Sequence, residues 1–337
     1  MSLRSAGPTG DRTLSAAGPT GGRTLSAAVV AGVGHCLPDR IVTNDDLAAR
    51  LDTSDEWIRS RTGIRQRHMV DTGTSTSDLA VGAGRRALAA AGLTGVGVVV
   101  LATTTPDHPC PATAPVVASR LGLGETPAFD VNAVCSGFLY ALATATSMLE
   151  SGLYETALVI GADVFSVLVD PDDRGTAFLF GDGAGAMVLR AGEPGEAGAV
   201  LAVELGSDGE LEDLILVEDA KSPFTMQGQT VYRHGVARMT SSTRSILDRV
   251  GWAVPDVDHF VGHQANQRIL DAVASRLGMA PDRVVSNLAT VGNTAAASIP
   301  IALSEAAASG RLRRGDRVAM AAFGGGATWG AAALTWL

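Results

Sequence analysis

The sequence predicts an α/β fold built from two similar halves, and three observations carry that prediction. Apolar runs of strand length alternate with Ala-rich stretches along the chain, as layered α/β packing requires. The string VASRLGL at 117–123 returns as VASRLGM at 273–279, an offset of 156 residues. The features flanking the two copies also come in the same order, which is the mark of an internal duplication rather than of two chance helices.

The elements follow in chain order. AAVVAGVGHCLP, starting at Ala27, reads as a buried strand ending in a turn. VGVVVLATTT (96–105), TALVIGAD (156–163) and RVAMAAFGGG (317–326) read as strands that stop at small residues. SDLAVGAGRRALAAAG (77–92) and SSTRSILDRVG (241–251) read as helices. Each copy of the repeated string is preceded by a strand and a polar loop. Each is followed by a strand, a loop and a small-residue helix: NAVCSGFLYALATA and LATVGNTAAASIPIALSEA. Each half then closes on a glycine-rich stretch and a last apolar run. In such a pair the loops of Cys135 and Asn293 are equivalent, and the loop of His263 comes from the same half as Asn293. All three side chains then meet where the halves face each other. The division is a tail over 1–27, a first half over 28–195 and a second half over 196–337.

Composition narrows the function. The net charge of −9 disfavours a nucleic-acid partner. Three cysteines, Cys36, Cys110 and Cys135, form no zinc or disulfide spacing, and so few fit a reducing cytoplasm. No apolar run is long enough to predict a membrane span. SAGPTGDRTL (5–14) followed by SAAGPTGGRTL (15–25) is a short tandem repeat of small and polar residues. It buries little and is expected to be a flexible, low-complexity tail.

The chemistry centres on FDVNAVCSGFLYAL (129–142), where a cysteine stands between a strand and a helix. Unpaired N–H groups and the helix dipole favour a negative charge there, so the thiolate of Cys135 is expected to be more accessible than that of a free thiol, which suits covalent catalysis. Taken singly, Cys135 reads as a small core residue, His263 as a hydrogen-bonded core histidine and Asn293 as a cap. Together they suit a single chemistry, in which the sulfur accepts an acyl group and two donors hold a second thioester carbonyl as charge develops on it.

From about residue 28 onward the chain resembles the β-ketoacyl-ACP synthase III family of the thiolase superfamily. The resemblance rests on DEWIRSRTGIRQRH (55–68), NAVCSGFLYAL (132–142), DPDDRGTAFLFGDGAGA (170–186), GHQANQRI (262–269), VGNTAAASIP (291–300) and AFGGGATWG (322–330). It implies a thiolase-like fold with two halves in five layers, α-β-α-β-α. It implies Cys135 as the acyl-accepting nucleophile, His263 and Asn293 as the pair that supports malonyl decarboxylation, and the N–H groups of Cys135 and Gly325 as the oxyanion hole. Phe323 matches a phenylalanine beside the cysteine. Trp57 and Arg61 match residues flanking the adenine of coenzyme A, with Arg174, Asn266 and Arg268 further along that channel. Arg233, Arg268 and Arg276 fall where the family docks its acidic carrier protein. The implied enzyme is a cytoplasmic homodimer that takes acyl-CoA and malonyl-ACP and needs no metal or cofactor beyond the coenzyme A thioester.

Other motifs are discounted. GDGAGA (181–186) lacks the dinucleotide spacing, FGGGATWG lacks the P-loop lysine, and His35, His68, His108, His234 and His259 form no metal cluster by spacing. Cys110 stands where some relatives carry a phenylalanine that shortens the partner's acyl pocket, so a starter larger than acetyl is expected. The competing readings are an acyltransferase of the same fold that does not condense, and a non-catalytic partner subunit. The first typically has a changed triad and the second usually lacks the cysteine.

Overall fold

The structure, a computed structural model, describes residues 27–219 and 222–337. The low-complexity tail expected over 1–27 therefore lies outside the described residues, except for Ala27, which already belongs to the first strand. The first half runs through β1 (Ala27–Cys36), β2 (Ile41–Thr43), α1 (Asn44–Ala48), α2 (Asp55–Thr62), β3 (Gln66–His68), α3 (Thr76–Ala91), β4 (Val98–Ala102), α4 (Ala114–Arg120), β5 (Ala128–Val131), α5 (Gly137–Glu150), β6 (Thr156–Asp163) and β7 (Gly183–Gly192). The second runs through β8 (Val200–Ser207), β9 (Ile215–Leu216), β10 (Thr225–Met226), α6 (Gly228–Val250), β11 (His259–Gly262), α7 (Gln267–Leu277), α8 (Leu288–Val291), α9 (Ser298–Ala308), β12 (Arg317–Gly324) and β13 (Thr328–Thr335).

Two main sheets repeat one topology. The first has the order β1-β7-β6-β4-β5 and the second β8-β13-β12-β11. In each, the first two pairings in that order are antiparallel and the remaining ones parallel. The strand expected after the second repeat copy is reduced to one parallel bridge between Phe260 and Val284. That bridge holds the place that β5 holds in the first sheet.

The strands are apolar on both faces because helices cover both. Val98, Val100 and Ala102 point to a central core shared with Phe138, Leu139 and Leu142 of α5 and Ile299 and Leu303 of α9. Val99 and Leu101 point the other way, onto α3 and α4. In the second sheet Val318 and Met320 face the same central core, while Ala319 and Ala321 face α6 and α7. The period of two thus yields five layers: α3 and α4, a sheet, α5 and α9, a sheet, α6 and α7. The helix expected over 241–251 begins much earlier, at Gly228. Packing of Val236 and Met239 against the second sheet overrides the weak helix propensity of its glycine- and β-branched-rich first turns.

Candidate active site

Cys135 sits in a 3-10 turn, Val134–Ser136, between β5 and α5. Val134 takes φ 47°, a conformation that a β-branched residue adopts only when its surroundings impose it. The constraint comes from both halves. Asn132 Oδ1 accepts from Val134 N at 3.3 Å, Thr328 Oγ1 donates to Ala133 O at 2.9 Å, and Ser136 Oγ donates to Thr328 O at 3.0 Å. The backbone of Gly324, at the end of β12, lies directly against this turn. A Cβ at Gly324 would come within 2.8 Å of Cys135 N, so only glycine fits. Gly325 follows, its carbonyl accepting from Thr328 Oγ1 at 3.0 Å.

Burial opposes the easier ionisation expected at Cys135. The residue is 7% exposed, and burial, reinforced by the nearby Asp163 carboxylate, pushes the thiol up to about 12 against the smaller opposing effect of its own backbone N–H. Desolvation of a buried sulfur outweighs the favourable helix N-terminus. Cys135 is therefore a neutral thiol in this environment.

His263 follows β11, and its N–H donates to Ala321 O of β12 at 2.8 Å. Its ring is 2% exposed, and burial lowers its pKa to about 3, so the imidazole is neutral. Nδ1 meets Ser298 Oγ at 2.7 Å. Ser298 Oγ also accepts the Gln264 N–H at 3.4 Å. A serine hydroxyl that donates to Nδ1 leaves the imidazole proton on Nε2. Asn293 is tied by its backbone, N to Leu179 O at 3.0 Å and O from Gly181 N at 2.9 Å. Its Oδ1 accepts Ala295 N at 3.0 Å, which leaves the carboxamide donor for a ligand. The Val134–Ser136 turn packs on its counterpart Ala295–Ala297 and on β12, and His263 follows β11, the parallel neighbour of β12.

A channel of about 730 Å³ reaches Asn293 from the surface. Trp57 and Arg61 lie on one face of α2, one turn apart, and that helix is started by Ser54 Oγ accepting Trp57 N at 3.1 Å. The Trp57 ring packs edge-on to Phe178 at 5.3 Å. The guanidiniums of Arg61 and Arg174 lie 5.7 and 5.2 Å from its centroid. Asn266 caps α7 through Arg268 N at 2.9 Å and donates to Arg61 O at 3.1 Å, joining the two walls. Among the described residues, the lining includes Arg61, Arg233 and Arg268 and no carboxylate, so the channel is locally cationic in a chain of net charge −9. Arg174 borders it with a 3.8 Å contact to Asp52. Arg276 stands apart at the far end of α7. Sequence reasoning missed Arg67, which is fully buried and donates to Val42 O, Asn44 Oδ1 and Phe178 O, fixing the channel wall.

Comparison with known proteins is decisive. Residues 129–209 match the family model described as 3-oxoacyl-acyl-carrier-protein (ACP) synthase III, and residues 247–336 match the model of its C-terminal part. The chain is 57% identical over 324 residues to β-ketoacyl-(acyl-carrier-protein) synthase III 3 of Streptomyces coelicolor, covering 91% of this chain and 97% of that one. The chain belongs to the 3-oxoacyl-(acyl-carrier-protein) synthase III family. The solved 3-oxoacyl-(acyl carrier protein) synthase III of Pseudomonas aeruginosa PAO1 superposes with a TM-score of 0.90 at 52% identity, covering 92% of this chain and 98% of that chain. The priming β-ketosynthase of the R1128 polyketide pathway gives 0.88 at 34% identity, covering 94% and 99%. The thiolase-like, five-layered arrangement expected from the sequence is thus the fold of this synthase III chain.

Beside the cysteine turn the synthase III chain also has a second cavity of about 270 Å³, lined by Val134, Phe165, Leu168, Ile215 and Phe224, with Thr104 and Glu212. Neither residue expected for the acyl pocket lines it. Cys110 is exposed in the loop before α4, and Phe323 packs towards Gly235 of α6. The aromatic lining had a sequence signal. In a chain with only 8 phenylalanines, Phe165, Phe178, Phe180 and Phe224 gather in one buried cluster with Cys135. Among the described residues, no group of three or more His, Cys, Asp or Glu side chains is placed to hold a metal ion, and no helix is long and apolar enough to cross a membrane.

Proposed function

We infer that the chain catalyses a decarboxylative Claisen condensation, with acyl-CoA as donor and malonyl-ACP as extender. In the first half-reaction Cys135 Sγ attacks the acyl carbonyl, the carbon–sulfur bond to coenzyme A breaks, and the thiol proton ends on the departing sulfur. The N–H groups of Cys135 and Gly325 hold the oxyanion. In the second, malonyl-ACP loses carbon dioxide and the released electron pair forms a thioester enolate. Its oxygen is held by His263 Nε2–H and the Asn293 carboxamide. The enolate carbon attacks the acyl group, Cys135 leaves as a thiolate and takes a proton from water, and β-ketoacyl-ACP is released. No metal or cofactor enters these steps.

One observation carries this reading: Asn293, whose carboxamide oxygen is held by Ala295 N and whose donor is left for a ligand, lies at an arginine-lined channel. The arginines suit the phosphates of coenzyme A, with Trp57, Arg61 and Arg174 at the adenine end and Asn266 and Arg268 along the pantetheine arm. Arg233 and Arg268 at the mouth, extended by Arg276, offer the acidic carrier protein a landing site. The second cavity supports a starter larger than acetyl. The half-buried edge strand β5, unpaired on its outer side among the described residues, and Val116 at 39% exposure support a homodimer. We place the enzyme in the cytoplasm and divide it into halves at 28–195 and 196–337.

The test is product analysis with a panel of acyl-CoAs and malonyl-ACP. β-Ketoacyl-ACP and one equivalent of carbon dioxide are expected, and both vanish in Cys135→Ala. Acyl transfer to another acceptor without loss of carbon dioxide would overturn condensation.

A further inference from the structure

The two turns that face each other at the active site are copies. In each, an asparagine side chain accepts the N–H two residues on: Asn132 from Val134 at 3.3 Å, Asn293 from Ala295 at 3.0 Å. In each the third residue takes φ 47°. Each closes with the same backbone bond at 3.0 Å, Ser136 N to Ala133 O and Ala297 N to Thr294 O. Ala296 is therefore the counterpart of Cys135.

Each copy faces the last residue of a long strand from the other half. Cys135 N faces Gly324, where no side chain fits, so no protein side chain from that position reaches it. Ala296 N faces Asp163, whose Oδ2 accepts it at 2.9 Å. Asp163 Oδ1 accepts from Thr104 N at 2.7 Å and from the hydroxyls of Thr103 and Thr105 at 3.3 Å each. The second half's equivalent of the oxyanion hole is filled by the protein's own carboxylate. Burial pushes the Asp163 carboxyl up to about 7 against these donors, which come from both halves and hold its oxygens in place.

We propose that Asp163 is a positioning residue that clamps the Asn293 turn to the loop 103–105, and so holds the Asn293 carboxamide in place for decarboxylation. The catalytic part of this proposal rests on the condensation inferred above. In Asp163→Asn the amide nitrogen replaces one acceptor, and the bond to Ala296 N is the one lost, since three donors hold the remaining oxygen. Two measurements test it. In amide hydrogen exchange, residues 294–297 should lose protection while 133–137 keep theirs. In single-turnover kinetics, discharge to malonyl-ACP should fall roughly 10²-fold, as when one preorganised donor is misplaced, while acylation of Cys135 should not fall, since loss of the Asp163 charge eases ionisation of that thiol. Thr105→Val, which removes a single donor to the carboxylate, should give the same split at smaller size should Asp163→Asn not fold. Unchanged exchange at Ala296, or an equal fall in both half-reactions, overturns the clamp. A wild-type enzyme that loads but never condenses overturns the functional reading instead, and the exchange result still decides the clamp.

Discussion

Nδ1 of His263 meets the hydroxyl of Ser298, the first residue of α9, at 2.7 Å. The helix that carries the Asn293 turn into the core thus also holds the His263 ring by its Nδ1 edge. In Ser298→Ala the ring is free to exchange tautomers. Condensation should fall about five- to tenfold, the worth of one hydrogen bond of about 1 kcal/mol, while loading of Cys135 by acyl-CoA is unchanged. Stopped-flow release of coenzyme A, compared with carbon dioxide release, measures the two separately.

Burial sets the pH behaviour of the same ring. With its pKa lowered from 6.5 to about 3, His263 stays neutral across the working range, so the condensation rate should show no acid limb near the ordinary imidazole value. For stability the sign is fixed by proton uptake. As pH falls below 6.5 the unfolded chain binds a proton that the folded chain refuses until about pH 3. The stability contributed by keeping this histidine neutral is intact above 6.5 and lost progressively down to about 3. His263→Gln removes that slope, and denaturant titrations of both proteins from pH 7 to 4 would show it.

Arg61 and Arg174 crowd one tryptophan, 5.7 and 5.2 Å from the Trp57 centroid. An adenine stacking there takes over contacts worth roughly 0.5–1 kcal/mol each. Trp57→Ala should raise KM for acyl-CoA about tenfold, leaving kcat near its original value. The same variant should leave acylation by an acyl-pantetheine thioester, which lacks the nucleotide, unaltered. Equal losses with both donors would remove Trp57 from the adenine site.

Cys110 is exposed in its own chain, so it can shape an acyl pocket only across a dimer. Cys110→Phe should shift the acyl-CoA preference towards acetyl while leaving total Cys135 loading by acetyl-CoA intact. A variant that keeps its preference for longer chains would show that the cavity formed by Phe165, Leu168 and Phe224 sets the length alone.

How much of this was legible in the sequence depended on how local each cause is. The strand at 156–163 appears with the bounds read from its apolar run, because sterics and periodicity act over a few residues. The duplicated order of elements pointed to the loops of Cys135 and Asn293 as a pair, and the structure packs the Val134–Ser136 turn on the Ala295–Ala297 turn. The resting state of the thiol was not legible. The sequence shows a helix start beside Cys135, whereas the depth of burial that opposes ionisation is a property of the whole fold. Asp163 was invisible for the same reason: its meaning comes from Ala296 and from Thr103 to Thr105, which lie far from it in the chain. Arg67 reads as a surface charge in its strand, and only the fold encloses it.

Covalent turnover at one sulfur is the step on which the whole mechanism depends. Intact-protein mass spectrometry after incubation with acyl-CoAs from acetyl to decanoyl, followed by malonyl-ACP, measures it directly. An acyl adduct on Cys135 that is absent in Cys135→Ala, and that discharges into β-ketoacyl-ACP on adding malonyl-ACP, is the predicted result. An adduct that persists in the presence of malonyl-ACP, or no adduct from any donor, would contradict it.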